Sequence, residues 1–208
     1  MNKKILMPLI LALGIAAGSA NADSILYDNG PTDGTIDAWN INYGFSTANS
    51  FTVLSQATIS GVNFGDWVSP GDTPTQVEYL ITTQAFGGTT LIDQTATLAS
   101  AYVGTNAYGF DLYSSAFTIS GLAMSAGTYW LQLQNTVTSQ GNPMYWDSNN
   151  GPSVAYTSAY GNIAGFDGAS SSEAFQVTGT YAAPIPAAIW LVLSGLASVG
   201  VFVRRRAV

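Results

Sequence analysis

The stretch TQVEYLITT, residues 75–83, decides the fold. Val77, Tyr79 and Ile81 fall on one face of an extended chain, with Glu78 and Thr82 on the other. Successive strand side chains point to opposite faces of a sheet, so this period of two marks a half-buried antiparallel strand. The alternation returns in Tyr108, Phe110 and Leu112, and in Tyr129, Leu131 and Leu133 set against Trp130, Gln132 and Gln134. It returns again in Phe175, Val177 and Tyr181, with Gly179 between. The groups SPGDTP, FGG and NNGP punctuate these runs as turns. Strands are expected at 24–27, 35–42, 49–55, 57–68, 75–83, 90–98, 108–119, 128–137, 143–146, 153–157 and 173–181. Nothing between them carries a helical stripe or a repeat period. Many short strands in one exported segment predict an all-β domain, an antiparallel two-sheet sandwich with the jelly roll among its variants.

Charge is distributed more tellingly than its total of −7 suggests. Lys3 and Lys4 are the only lysines, Arg204, Arg205 and Arg206 the only arginines, and there is no His. All twelve acids lie between Asp23 and Glu173, so residues 23–183 carry no basic side chain and a formal −12. Nucleic acid is excluded as a partner, because phosphate binding rests on Lys and Arg. Salt bridges cannot hold this segment together. An acidic, weakly charged exterior is what keeps an exported protein soluble.

The two ends are apolar. Two lysines precede the run Ile5–Ala17, and Ala20-Asn21-Ala22 supplies a small-x-small site, so residues 1–22 read as a secretory signal peptide cleaved after Ala22. From Pro184 to Val203 the only polar side chains are Ser194 and Ser198. Twenty residues at 1.5 Å each span roughly 30 Å, the thickness of a bilayer core, so a transmembrane helix is expected over about 184–203. The arginine cluster that follows should stay in the cytoplasm. The domains expected are therefore 1–22, an exported 23–182, and a C-terminal segment 183–208.

The C-terminal segment resembles a known sorting signal. Pro184, Pro186, Ala187, Ala188, Trp190, Leu191, Ser194, Gly195 and Leu196, followed by Arg204, Arg205 and Arg206, are similar in order and spacing to the PEP-CTERM signal, and most closely to its Val-Pro-Leu-Pro-Ala variant. Ala183 stands where that variant has Val, and Ile185 where the eponymous Glu would be. The resemblance implies a Gram-negative bacterium making an extracellular polysaccharide. It also implies an inner-membrane exosortase that cleaves near Pro184–Pro186, leaving the product at the cell surface or outside the cell. GDTPTQVEYLITT, FGGTTLI, SAGTYWLQLQN, MYWDSNNGPS and SEAFQVTG are similar to an ectodomain that recurs among such proteins; that resemblance implies fold and location and brings no activity.

The missing residue types narrow the chemistry. Without His or Cys there is no Ser-His-Asp triad, Cys nucleophile or ordinary zinc site; without Lys or Arg there is no Schiff base or cationic clamp. Two carboxylates about 5–10 Å apart would suffice for glycoside hydrolysis, but no pair stands out. Calcium is the candidate ion, through Asp28, Asn29, Asp33 and Asp37 in DNGPTDGTID and Asp147, Asn149 and Asn150 in WDSNNG. Asp, Asn and Gly are also ordinary turn residues, and that reading takes precedence. Trp39, Trp67, Trp130 and Trp146, with Tyr43 and Tyr145, are candidates for an aromatic sugar-binding platform, each set against a role in the core. The expected protein is a non-catalytic, exported surface or matrix protein without an obligatory cofactor. A carbohydrate-binding module is the alternative, and an acid-pair glycosidase the outside one.

Overall fold

A computed structural model describes residues 23–165 and 172–182. The chain forms β1 (Ser24–Asp28), β2 (Ala38–Asn40), β3 (Phe45–Val53), β4 (Ala57–Val68), β5 (Pro74–Gln84), β6 (Gly87–Thr97) and β7 (Ala99–Thr105). It continues through β8 (Asp111–Met124), β9 (Gly127–Thr138), β10 (Met144–Asn149), β11 (Ala155–Ala159), β12 (Asn162–Gly165), β13 (Ser172–Glu173) and β14 (Phe175–Tyr181). All strand pairs are antiparallel and form two sheets.

The six-stranded sheet runs β12-β11-β3-β9-β5-β6. In the eight-stranded sheet β4 is the spine. One edge of β4 pairs with β8, which is flanked by β7. Its other edge is shared end to end, by β14 against residues 57–64 and by β10 against residues 66–68. β1 and β2 then extend β14 and β10, and β13 pairs with the far end of β10.

The alternation read from the sequence sets the core. Val77, Tyr79, Ile81, Leu131 and Leu133 of β5 and β9 are buried, as are Ile59, Val62, Phe64, Phe117, Phe175 and Val177 from the other sheet. Tyr79 meets Phe117 across the interface at a ring distance of 4.5 Å, and Tyr27 of β1 meets Phe51 of β3 at 6.2 Å. Each such side chain contributes on the order of 2 kcal/mol by leaving water. With no ion pair available to residues 23–183, this burial and the ladder hydrogen bonds carry the fold.

Several expected strands differ from those found. Residues 35–42 yield only Ala38–Asn40, because Asp33 and Gly34 turn back to donate their N–H groups to Asp147. Tyr108 and Phe110 belong to a turn rather than to a strand: both donate N–H to Asn106 Oδ1, and β8 begins at Asp111. The strand expected to end at 98 instead crosses between sheets. β6 edges one sheet, Leu98 is buried at the corner with its N–H on the Thr75 carbonyl, and β7 edges the other. β7 and β12 have no counterpart among the expected strands, and the run expected at 173–181 is divided at Ala174 into β13 and β14.

Ser60 is a bulge on β4, since Ile59 and Gly61 have direct partners on both β8 and β14 while Ser60 has none. Opposite it, Gly179 lies so close to β4 that a Cβ there would stand 2.1 Å from the Thr58 carbonyl oxygen and 2.9 Å from Ile59 Cα. Nothing lies within 4 Å of such an atom at Gly104. Gly179→Ala is therefore expected to destabilise the fold by about 1–3 kcal/mol, and Gly104→Ala by less than about 0.5 kcal/mol. Thermal unfolding of the two full-length variants checks this; equal midpoints would refute the close approach.

Candidate functional site

One end of the sandwich gathers most of the acidic and tryptophan residues singled out in the sequence. Asp147, on β10, is their hub. Its Oδ2 accepts the Asp33 N–H at 2.9 Å, and its Oδ1 accepts the Gly34 N–H at 3.1 Å and Trp67 Nε1 at 2.5 Å. Loop 29–37 is thereby fastened to β4 and β10. Asn29 fastens it a second time. Its Nδ2 donates to Ser172 Oγ and the Glu173 carbonyl, its Oδ1 accepts from Tyr27 and the Ser153 N–H, and its carbonyl accepts Asn149 Nδ2.

Three acids here are enclosed with no cation to meet them. Asp66 and Glu173 are inaccessible, and neither oxygen of Asp66 has a hydrogen-bond partner. Ser148 donates to Glu173 Oε2, while Oε1 has no partner. Burial pushes the Asp66 carboxyl well above the usual range, against the nearby Ser115 hydroxyl and reinforced by the charge of Asp147. Burial does the same to Glu173, offset by Ser148 and reinforced by Asp147 and Asp37. Burial lifts Asp147 to about 6, against the three N–H groups it accepts and with the charge of Asp33 adding to the rise.

Asp72 shows the opposite outcome. Burial would raise it as well, but Asp72 accepts from Ser139 Oγ, the N–H groups of Thr73 and Gln140, and Asn142 Nδ2. Hydrogen bonds from Ser139, Thr138, Gln140 and Thr73 outweigh burial and hold its carboxyl well below the usual range. Donors stabilise the charged form, and desolvation opposes it.

The loops nominated for calcium do approach one another, but backbone N–H groups converge on Asp147 rather than carboxylates on a common point. Asp28 Oδ1 accepts the Gly30 N–H, Asp33 Oδ1 the Thr35 N–H and hydroxyl, and Asp37 Oδ1 the Ala38 N–H. Among the described residues no three acidic side chains gather as a metal-holding group.

The tryptophans separate. Trp146 is fully buried with Nε1 on the Ala174 carbonyl, and Trp67 is buried beneath Tyr108, stacked at 5.7 Å. Neither offers a ring to solvent. Trp39 is half-buried on β2, in register with Trp146. Trp130 lies on the outer face of the six-stranded sheet, half-buried, with its ring 5.5 Å from that of Tyr156. Ala20, Ala22 and the sorting residues from Pro184 to Arg206 lie outside the described residues.

That outer face holds a feature the sequence reading missed. A groove of about 490 Å³ crosses it, with Ser46, Leu80, Thr82, Gln132, Gln134 and Ser158 in its lining. The register makes these one surface: Ser158, Ser46, Gln134 and Glu78 form one row, and Tyr156, Ala48, Gln132 and Leu80 the next. A chain of amides fixes the floor. Gln132 Nε2 donates to Gln134 Oε1 at 2.6 Å, and Gln134 Nε2 and Asn135 Nδ2 donate to the two oxygens of Glu78 at 2.7 Å. Polar residues on the outward face of an amphipathic strand look like any solvated face, so Gln132 and Gln134 carried no signal by themselves. The dipeptides Tyr43-Gly44 and Tyr160-Gly161 would have, since they put an aromatic ring where a tight turn favours Asn.

No protein-family model matches the chain, and no similar protein is found among the curated ones.

The buried acids give the domain an unusual dependence on pH. A carboxyl whose folded value is raised adds stability in full below its unfolded value, near 4, and loses it as pH climbs through the folded value. Asp147 gives up its share between about pH 4 and 6, and Asp66 and Glu173 go on losing theirs at higher pH. Each costs about 1.4 kcal/mol per pH unit inside its window. Asp72 acts in reverse and weakens the fold below about pH 4. The thermal midpoint of the full chain is therefore expected to peak near pH 4–5 and fall as pH rises through 6, and Asp66→Asn should flatten that fall. A midpoint rising steadily from pH 5 to 8 would contradict the assignment.

Proposed function

We propose that the chain is a non-catalytic exported protein whose β-sandwich serves a structural or adhesive role at the cell surface or in an extracellular polysaccharide matrix. The N-terminal signal takes residues 23–182 across the inner membrane. The segment around 184–203 then holds the protein there, with Arg204–Arg206 in the cytoplasm, until an exosortase acts near Pro184–Pro186. The observation that carries this reading is a sandwich sequence free of Lys, Arg and His, set between two apolar segments that hold the only cations of the chain. Such a domain has no attraction for nucleic acid or anionic lipid and stays dispersed through its own charge. In this reading Asp66, Asp147 and Glu173 are parts of the scaffold, not an acid pair for hydrolysis.

Protease added to spheroplasts of a Gram-negative host carrying an active exosortase should digest the sandwich and spare an epitope placed after Val208. Extracellular protein should lack that epitope, and joint replacement of Pro184 and Pro186 by Ala should keep the chain in the membrane fraction. A protected sandwich with a cleaved tail would reverse the topology. Intact tail in the extracellular fraction would remove the processing step.

A further inference from the structure

We propose that the groove across the outer face of the six-stranded sheet binds an uncharged polysaccharide chain, an inference that takes its biological setting from the exported-matrix reading and its chemistry from the groove itself. The lining decides the ligand class. Every side chain in it is an amide, a hydroxyl, an aliphatic or an aromatic group, and none is charged. Amides and hydroxyls match the hydroxyls of a sugar, while Leu80, Phe45 and Phe86 offer apolar contact to ring C–H faces. An anionic polymer would meet Glu78 on the same outward row beside the groove and the formal −12 of residues 23–183, with no base to offset either.

Shape points the same way. The groove crosses β11, β3, β9, β5 and the start of β6, a width of roughly 19 Å at normal strand spacing, and lies open along the sheet surface, as a chain-like ligand needs. The floor is pre-set, because Glu78 orients Gln134 and Asn135, and Gln134 in turn orients Gln132. A ligand then finds its partners already ordered.

Backbone strain gathers at this groove and at the neighbouring hollow, where the Tyr43 hydroxyl donates to the Gly141 carbonyl. Among the described residues four non-glycine positions have left-handed φ: Tyr43 at 54°, Phe86 at 52°, Asn135 at 45° and Tyr160 at 50°. Phe86 and Asn135 line the groove, Tyr160 sits between its lining residues Ser158 and Gly161, and Tyr43 precedes its lining residue Gly44. Left-handed φ is costly for an aromatic residue, and such outliers gather at functional sites. Tyr43-Gly44 and Tyr160-Gly161 occupy tight turns that favour Asn-Gly, so each turn retains a ring where a smaller residue would be easier. The Tyr160 ring lies against Gly44 and Phe45, forming one rim, and Phe86 in the β5–β6 turn forms the other.

The test is affinity electrophoresis of the purified full chain in native gels containing a mixed-linkage β-glucan, a galactomannan, dextran or alginate. At least one neutral polymer should retard the protein and alginate should not. Gln132→Ala should weaken that retardation at least tenfold. Thr90→Trp, at an exposed groove position, should abolish it by occupying the space, and this variant decides the matter where Gln132→Ala fails to fold. Thr52→Ala, outside the groove on the same face, should change nothing. Absence of retardation by all three neutral polymers, retardation unaltered by Thr90→Trp, or alginate binding as strong as neutral binding would each overturn the groove. Cell fractionation reads the exported-matrix proposal separately: an exported, processed protein that no polymer retards removes the groove and leaves that proposal standing.

Discussion

Twelve acids share residues 23–183 with no base, and the rest of the structure follows from how that imbalance is accommodated. Ordinary domains meet a buried carboxylate with Arg or Lys. Here the available counterparts are N–H and O–H donors or a proton. Asp72 takes the first route and is charged, ringed by hydroxyl, amide and backbone donors. For Asp66 and Glu173, enclosed where too few donors reach them to stabilise a charge, burial raises the carboxyl well above the usual range and favours the second. Asp147 lies between, with three N–H donors against extensive burial.

The same constraint explains why the sandwich leans on geometry. Without ion pairs, register has to come from alternation, from bulges and from close backbone approach. The Ser60 bulge facing Gly179 fixes β14 on β4, and Leu98 at the corner fixes where one strand run passes from sheet to sheet. The polar end is held by side-chain-to-backbone bonds of Asn29 and Asp147, which work as clasps between β1, β4, β10 and the loop from 29 to 37.

Much of the scaffold could be read in the chain, because burial on one face writes a period of two. β4 has the bounds expected, 57–68, and the inward residues of β5, β9 and β14 are those the alternation selects. β7 escaped notice because it is an exposed edge strand, with Tyr102 and Val103 more than half accessible and no face to bury. The Tyr108 and Phe110 alternation misled because a turn capped by Asn106 can repeat a strand pattern over a few residues. The polar sites were less legible. For Trp67 and Trp146 the core is the favoured reading over a surface platform, and the Asp147 carboxylate and Ala174 carbonyl beside their indole nitrogens hold both there. The groove depends on three residues far apart in sequence, Ser46, Gln132 and Ser158, meeting across three strands, which no local pattern encodes.

A cation-free domain that encloses three acids has to hold their carboxyls above the usual range. Carbon-13 NMR of the side-chain carboxyls in the full chain, followed from pH 3 to 8, measures this residue by residue. Asp66 and Glu173 are expected to titrate well above the usual carboxyl range, Asp147 near pH 6, and Asp72 to stay ionised throughout. Asp66, Glu173 and Asp147 all ionised by pH 5 in the folded protein would contradict it.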